Sequence, residues 1–254
     1  MHLRRFESSD ILQYSRTVRK DNPNIEADIA DMVMEKPVRF SVGDESFCLH
    51  WPSLGKSMIT GRLLEQAGLS GAGAYSGNAV DTVRMCRDHR DISCRIIAYS
   101  TVRTRDEAED SALIKSRQEY MDKNLSEEDL SSLLSIALSM YDTRRYIKHF
   151  GLDKEQTLRE RIIKMKRKRS YDVRFGGKTI YGTTIDILCE RYGWTVDYVV
   201  WGVSLPSIKM LLSDAQTSVY MSKDDRKRIH IPSEEVINAD DPANMEKIRR
   251  MFKD

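Results

Sequence analysis

Leu54-Gly55-Lys56-Ser57 carries the residue types of a phosphate site, after an expected strand and at the start of an expected helix. A phosphate loop curls backbone N–H groups around the ligand, with a lysine on the phosphates and a hydroxyl on magnesium. That curl needs a glycine five residues before Gly55, where His50 stands. Trp51 and Pro52 fill the curl, and Pro52 has no N–H to give. The segment therefore reads as an ordinary helix N-terminus. The histidines His2, His50, His89, His149 and His230 are dispersed and show no metal-ligand spacing. Arg87-Asp88-His89-Arg90-Asp91 sets acids beside a histidine, but adjacent side chains diverge on a helix or strand, so it reads as a solvated charged patch. Cys48, Cys86, Cys94 and Cys189 form no CxxC pair and read as free thiols in a reducing compartment. No serine sits in a nucleophile elbow, and nothing pairs two carboxylates for acid–base work. The sequence thus offers no catalytic residue, metal site or cofactor motif, and a non-enzymatic protein is expected.

Charge narrows the partners. Lys and Arg number 41 against 39 Asp and Glu, a net +2, which gives no global pull toward nucleic acid or anionic membrane. The sharpest basic cluster is Lys164, Lys166, Arg167, Lys168 and Arg169. It suits a nucleic-acid backbone through counterion release, and equally the negative end of a solvated helix. No apolar run approaches the roughly 20 residues of a membrane helix. The N-terminal residues lack the apolar core of a secretory signal. A cytoplasmic protein with no membrane partner is expected.

Large aromatics gather in Tyr181–Asp214, which holds Trp194 and Trp201. The pattern is helix-turn-helix-like. Ile185–Arg191 forms the first helix, Gly193 the turn, and Thr195 caps a second helix bearing Val196, Val199 and Val200. A DNA-reading helix needs basic or amide side chains toward the base edges. Here it reads Val-Asp-Tyr-Val-Val-Trp, one acid and no base. Tyr198 and Trp201, three apart, share a helical face, and Leu205, Ile208, Leu211 and Leu212 continue the apolar stripe. The segment is either the core of the C-terminal part or a surface that holds a protein client. On the second reading, Trp194, Tyr198, Trp201, Leu205, Ile208 and Leu211 make the contacts.

The elements that position these residues read as mainly α with one or two small β-hairpins, an α+β arrangement with a helical body. Four regions are expected: an N-terminal lobe over 1–68, a helical region over 81–150, a region over 151–220 with basic helix, hairpin and aromatic segment, and a charged tail over 221–254. Helices are expected near residues 9–22 and 23–34, with Pro23 in the first turn of the second. A hairpin follows, Val38–Val42 and Phe47–Trp51 around Gly43–Ser46. Further helices are expected at 54–67, 106–124, 126–141 and 153–168, and a short one at 242–252. Val80–Arg103 is open between strand and buried helix. Gly176-Gly177 marks a second hairpin over 170–181.

Tyr192-Gly193-Trp194-Thr195, Asp197-Tyr198-Val199, Trp201-Gly202 and Met210-Leu211-Leu212 together resemble the C-terminal part of tail assembly chaperones of tailed bacteriophages and prophages. Phe40–Leu64 is similar to the strand pair and helix start of phage tail accessory proteins. The resemblance implies a mostly helical, non-enzymatic protein that coats a tape-measure protein or holds tail-tube subunits until they polymerise. The chain is longer than most such chaperones, and Asp106–Tyr141 has no place in the family pattern. Self-association into a homo-oligomer stays open. Two alternatives stand beside the chaperone: a nucleic-acid-binding protein using the basic run, and a virion structural protein.

Overall fold

Apolar and polar residues alternate on either side of Gly43-Asp44, and the chain folds back on itself there. In the computed structural model Val38–Val42 (β1) and Glu45–Leu49 (β2) pair antiparallel, with Val42 opposite Glu45. Gly43 takes φ 56°, the left-handed conformation that a tight two-residue hairpin turn requires. Pairing therefore closes two residues earlier than the spacing predicts. Phe40 and Phe47 stack across the strands with ring centroids 5.6 Å apart. The structure describes residues 25–69, 75, 79–167, 178–216, 221 and 223–228. The expected helices at 9–22 and 242–252, and residues 170–177 of the second hairpin, lie outside these. Ile180 and Tyr181, expected to end that hairpin, begin a helix instead, with Thr179 as its cap.

Helices make up most of the rest. Ile25–Val33 (α1) precedes the hairpin, and Leu54–Gln66 (α2) follows it. Ser53 caps α2 by accepting the N–H of Lys56 at 3.3 Å. Val80–Arg103 resolves into two helices, Ala79–Asp88 (α3) and Arg90–Ser100 (α4). The β-branched Ile96 and Ile97 reflect full burial within a helix, not a strand preference. The single helix expected over 106–124 is broken at Asp110, whose backbone is extended. Arg105–Glu109 (α5) ends there and Ser111–Asn124 (α6) begins, with the Asp110 carboxylate accepting the N–H groups of Ala112 and Leu113. Ser126 caps Glu127–Ser139 (α7), where three acids occupy the positive end of the helix. Arg144–His149 (α8), Leu152–Arg167 (α9) and Ile180–Tyr192 (α10) follow. A π-helical turn over Tyr198–Gly202, then Leu205–Ser213 (α11) and Lys223–Arg228 (α12), complete the described elements.

The chain divides into two compact units, Met1–Lys154 with Asp172–Ala215, and Glu155–Tyr171 with Gln216–Asp254. In the first, one core draws on the hairpin (Phe40, Val42, Leu49), α2 (Leu63, Leu64), α4 (Ile96, Ile97) and α7 (Leu130, Leu133, Leu134). Residues expected to form an N-terminal lobe and a separate helical region thus share one core. In the second unit the described residues comprise most of α9, together with α12.

Leu134 is fully buried in that core. Leu134→Ala is expected to cost about 2–5 kcal/mol, from lost transfer energy plus a cavity. Val80→Ala, at a position 73% exposed, is expected to stay within about 0.5 kcal/mol. Urea unfolding of both variants checks the contrast.

Candidate functional site

The last carbonyls of an α-helix have no partner within the helix. At the end of α4 three buried residues present such carbonyls in succession: Ser100 in its last turn, Thr101 at its C-cap and Val102 just beyond it. Three donors from three elements meet them. The backbone N–H of His50, just past β2, donates to Ser100 O at 2.8 Å. Arg117 Nη1, from α6, donates to Thr101 O at 3.0 Å and to Thr101 Oγ1 at 2.8 Å. Lys56 Nζ, from the first turn of α2, donates to Val102 O at 3.1 Å. Two of the three bring positive charge to the negative end of the helix dipole. Glu107 adds an acid nearby and accepts the N–H groups of Arg103 and Thr104 at 2.7 and 3.2 Å.

Lys56 is only 4% exposed. No carboxylate among the described residues lies within ion-pair distance, and Glu35 and Glu107 act on it from further away. Burial therefore dominates and lowers its pKa to about 8. His50 is also held below its usual value, first by burial, then by the cations of Lys56 and Arg103. Both line a narrow recess with Thr60, Tyr99, Ser100 and Tyr141, too small to admit a water molecule. The Thr60 and Tyr141 hydroxyls meet there at 3.0 Å. Lys56 in this setting is a helix-end cap with no room for substrate beside it.

The phosphate-loop residues are closed off for a second reason. A Cβ on Gly55 would lie 2.8 Å from the indole of Trp201. Trp201 rests on this glycine, and on its other side meets the cluster of Ala98, Val102, Ala108 and Ile114. Where a phosphate would need open backbone, an aromatic ring is seated.

Trp201 belongs to the π-helical turn. As the spacing predicts, Gly193 ends α10 in the left-handed conformation, φ 66°. Thr195 Oγ1 accepts the N–H of Tyr198 at 3.2 Å. The second helix of the pattern is a wider turn instead, in which Val203 N–H reaches Tyr198 O at 3.2 Å. This winding puts Val199 fully inside and leaves Tyr198 47% exposed. Trp194 stacks on Tyr192 with centroids 4.8 Å apart, and Tyr198 meets Trp194 edge-on at 5.3 Å and 81°. The Tyr198 ring also covers Gly202, where any Cβ would collide with it.

The six residues expected to hold a client therefore divide. Tyr198 is exposed, as is Leu211 at 37%. Trp194, Trp201 and Leu205 are half-buried. Ile208 is 1% exposed and packs with Leu54, Leu188, Val199 and Val203. It is a core residue here, not a contact, because its side of the stripe is covered by Leu54, Leu188 and Val199. The segment is thus core on one side and open on the other. Val196, 58% exposed, adds to the open side.

Of the basic cluster, Lys164 and Lys166 are exposed on α9 and Arg167 ends that helix. Lys168 and Arg169 lie outside the described residues. Among the described residues no three His, Cys, Asp or Glu side chains converge on a metal-sized site, and no helix is long and apolar enough to cross a membrane. Glu35 escaped sequence reasoning. It adopts φ 52°, rare for a residue with a side chain, and its Oε1 accepts the N–H of Ser204 at 2.7 Å. No local signal marks it, since its partner stands 169 positions away. Compared with family models, curated proteins and solved structures, the chain matches none.

Lys56 titrates near 10.5 ordinarily and near 8 in the fold. Between these values the unfolded chain binds more protons, so stability rises with pH across that window, by about 3 kcal/mol in full. Burial raises the thiols of Cys86 and Cys94 and so opposes the rise above about pH 9, but it does so equally in a Lys56 variant. In urea unfolding the native protein is therefore expected to gain stability relative to Lys56→Met from about pH 8 to 10. A difference between the two proteins that does not change with pH overturns the assignment, because Lys56→Met has no amine to lose its proton.

Proposed function

We propose that the chain is a non-enzymatic protein-binding protein, an assembly chaperone that masks apolar surface on a client until a stronger partner displaces it. The resemblance in the C-terminal segment gives the client its sharper form, a phage tape-measure or tail-tube protein. The observation that carries the reading is Tyr198. This ring stands about half in solvent, as Tyr181 and Phe150 also do, and Trp194 and Gly202 fix its position. A pre-set, exposed aromatic loses little freedom when a partner covers it. Val196 beside it and Leu211 on α11 extend the apolar surface.

The test needs a variant that keeps the fold. Trp201→Ala would strip the cover from Gly55, so Tyr198→Ala and Val196→Ser serve instead. Aromatic anchors at interfaces commonly cost about 2 kcal/mol or more on truncation, roughly a thirtyfold loss of affinity. Binding of a purified tail-tube subunit or tape-measure protein from the same source is expected to fall by that factor in Tyr198→Ala, and to weaken in the more exposed Val196→Ser, with the helical circular dichroism of the native protein kept in both. Equal binding by the variant and the native protein sinks the masking idea.

A nucleic-acid reading draws on the exposure of Lys164 and Lys166. It requires binding to DNA or RNA that falls steeply with salt and is lost when the basic run is neutralised. Salt-insensitive or undetectable binding in a filter assay removes it.

A further inference from the structure

α4 and α6 leave an open groove between them of about 470 Å³, within the size range of small-molecule sites. Its walls come from regular spacing. Arg95 and Tyr99 stand one turn apart on α4, while Ser111, Lys115 and Gln118 fall on one face of α6. Ile114 is buried in the groove between them.

The polar groups here are oriented but unspent. Arg95 Nε donates to Gln118 Oε1 at 3.1 Å, and Gln118 Nε2 donates in turn to the carbonyl of Asp91 at 3.2 Å. Gln118 thus holds the guanidinium by one edge, and the two terminal nitrogens take no acceptor among the described residues. No carboxylate there pairs with Arg95. The hydroxyls of Tyr99 and Ser111 likewise make no hydrogen bond with any described residue. Lys115 has only Glu119, at 3.8 Å and largely in solvent, a pairing of little strength. Glu119 is the one acid lining the groove.

We propose that this groove binds a small organic phosphate monoester with a flat apolar body. A phosphate monoester carries close to two negative charges and three acceptor oxygens. A guanidinium with two free nitrogens and a lysine supply the matching charge, and the Ser111 hydroxyl a further donor. The half-buried Tyr99 ring and the exposed Ala112 methyl receive the flat body. Gln118 is a positioning residue, acting on the ligand only through Arg95. The site is independent of the Tyr198 surface, and its test uses the protein alone.

The probe is adenosine monophosphate, measured by calorimetry and by ³¹P NMR line width, with inorganic phosphate and adenosine as separate arms. The monophosphate is expected to bind at least about tenfold more tightly than either part, since both halves of the groove engage it. Arg95→Gln is expected to weaken it at least about tenfold. Gln118→Leu keeps both cations and is expected to weaken the monophosphate severalfold while leaving adenosine unaffected. Lys115→Gln, at an exposed position, carries the test if Arg95→Gln fails to fold. No saturable binding up to about 10 mM, a Kd worth under 3 kcal/mol, overturns the proposal. So does equal binding of the monophosphate and adenosine, or binding unchanged in Arg95→Gln and Lys115→Gln.

Discussion

The first unit is organised around one requirement, that the C-terminal end of α4 be buried with its carbonyls satisfied. An unpaired buried carbonyl costs about 1–3 kcal/mol. Ser100, Thr101 and Val102 present three in succession, and His50, Arg117 and Lys56 answer them. Those donors come from the end of β2, from α6 and from the start of α2. Satisfying one helix end therefore fixes the hairpin, a central helix and a flanking helix against each other. The burial of Lys56 follows. Its charge is expensive to desolvate, but the helix dipole and a carbonyl acceptor offset part of the cost. Among the described residues no buried side-chain nitrogen or oxygen lacks a partner.

The aromatic segment is fastened onto this framework at few points, each chemically distinct. Leu205 N–H donates to Pro52 O at 2.6 Å, and Ser204 N–H to the Glu35 carboxylate. Trp201 lies on Gly55, which has no side chain to hold it off. Leu54, from the same turn of α2, enters the small core of Leu188, Val199 and Ile208. The first turn of α2 thus serves two masters: Lys56 faces the end of α4, while Leu54 and Gly55 face the aromatic segment. This explains why a segment resembling a phosphate loop is closed to ligands on both sides.

Much of the fold was legible in the sequence because it rests on local chemistry. Ser126 begins and Gly193 ends a helix where capping rules place them. The amphipathic pattern of α7 and the alternation of the hairpin read directly. What escaped was set by tertiary context. Ile96 and Ile97 looked strand-like because burial on every side favours apolar residues whatever the backbone. The widened turn at Tyr198 has no sequence marker, and it changes which of Tyr198, Val199 and Ile208 face inward. The Gln118–Arg95 and Lys56–Val102 contacts join residues far apart in the chain, so spacing could not pair them.

The hold of Glu35 on Ser204 also has a meaning in time. Synthesis proceeds from the N-terminus at about 5–20 residues per second. The core of hairpin, α2, α4 and α7 has its last residue, Met140, long before Ser213 ends α11. For roughly 4 to 15 seconds at that pace, a nascent chain has every residue of that core but not all of the segment that covers Gly55 and Leu54. Trp201 and its neighbours then arrive as a late cover. Until they do, that patch is open to any apolar segment within reach, and the newborn protein presents a different surface from the mature one.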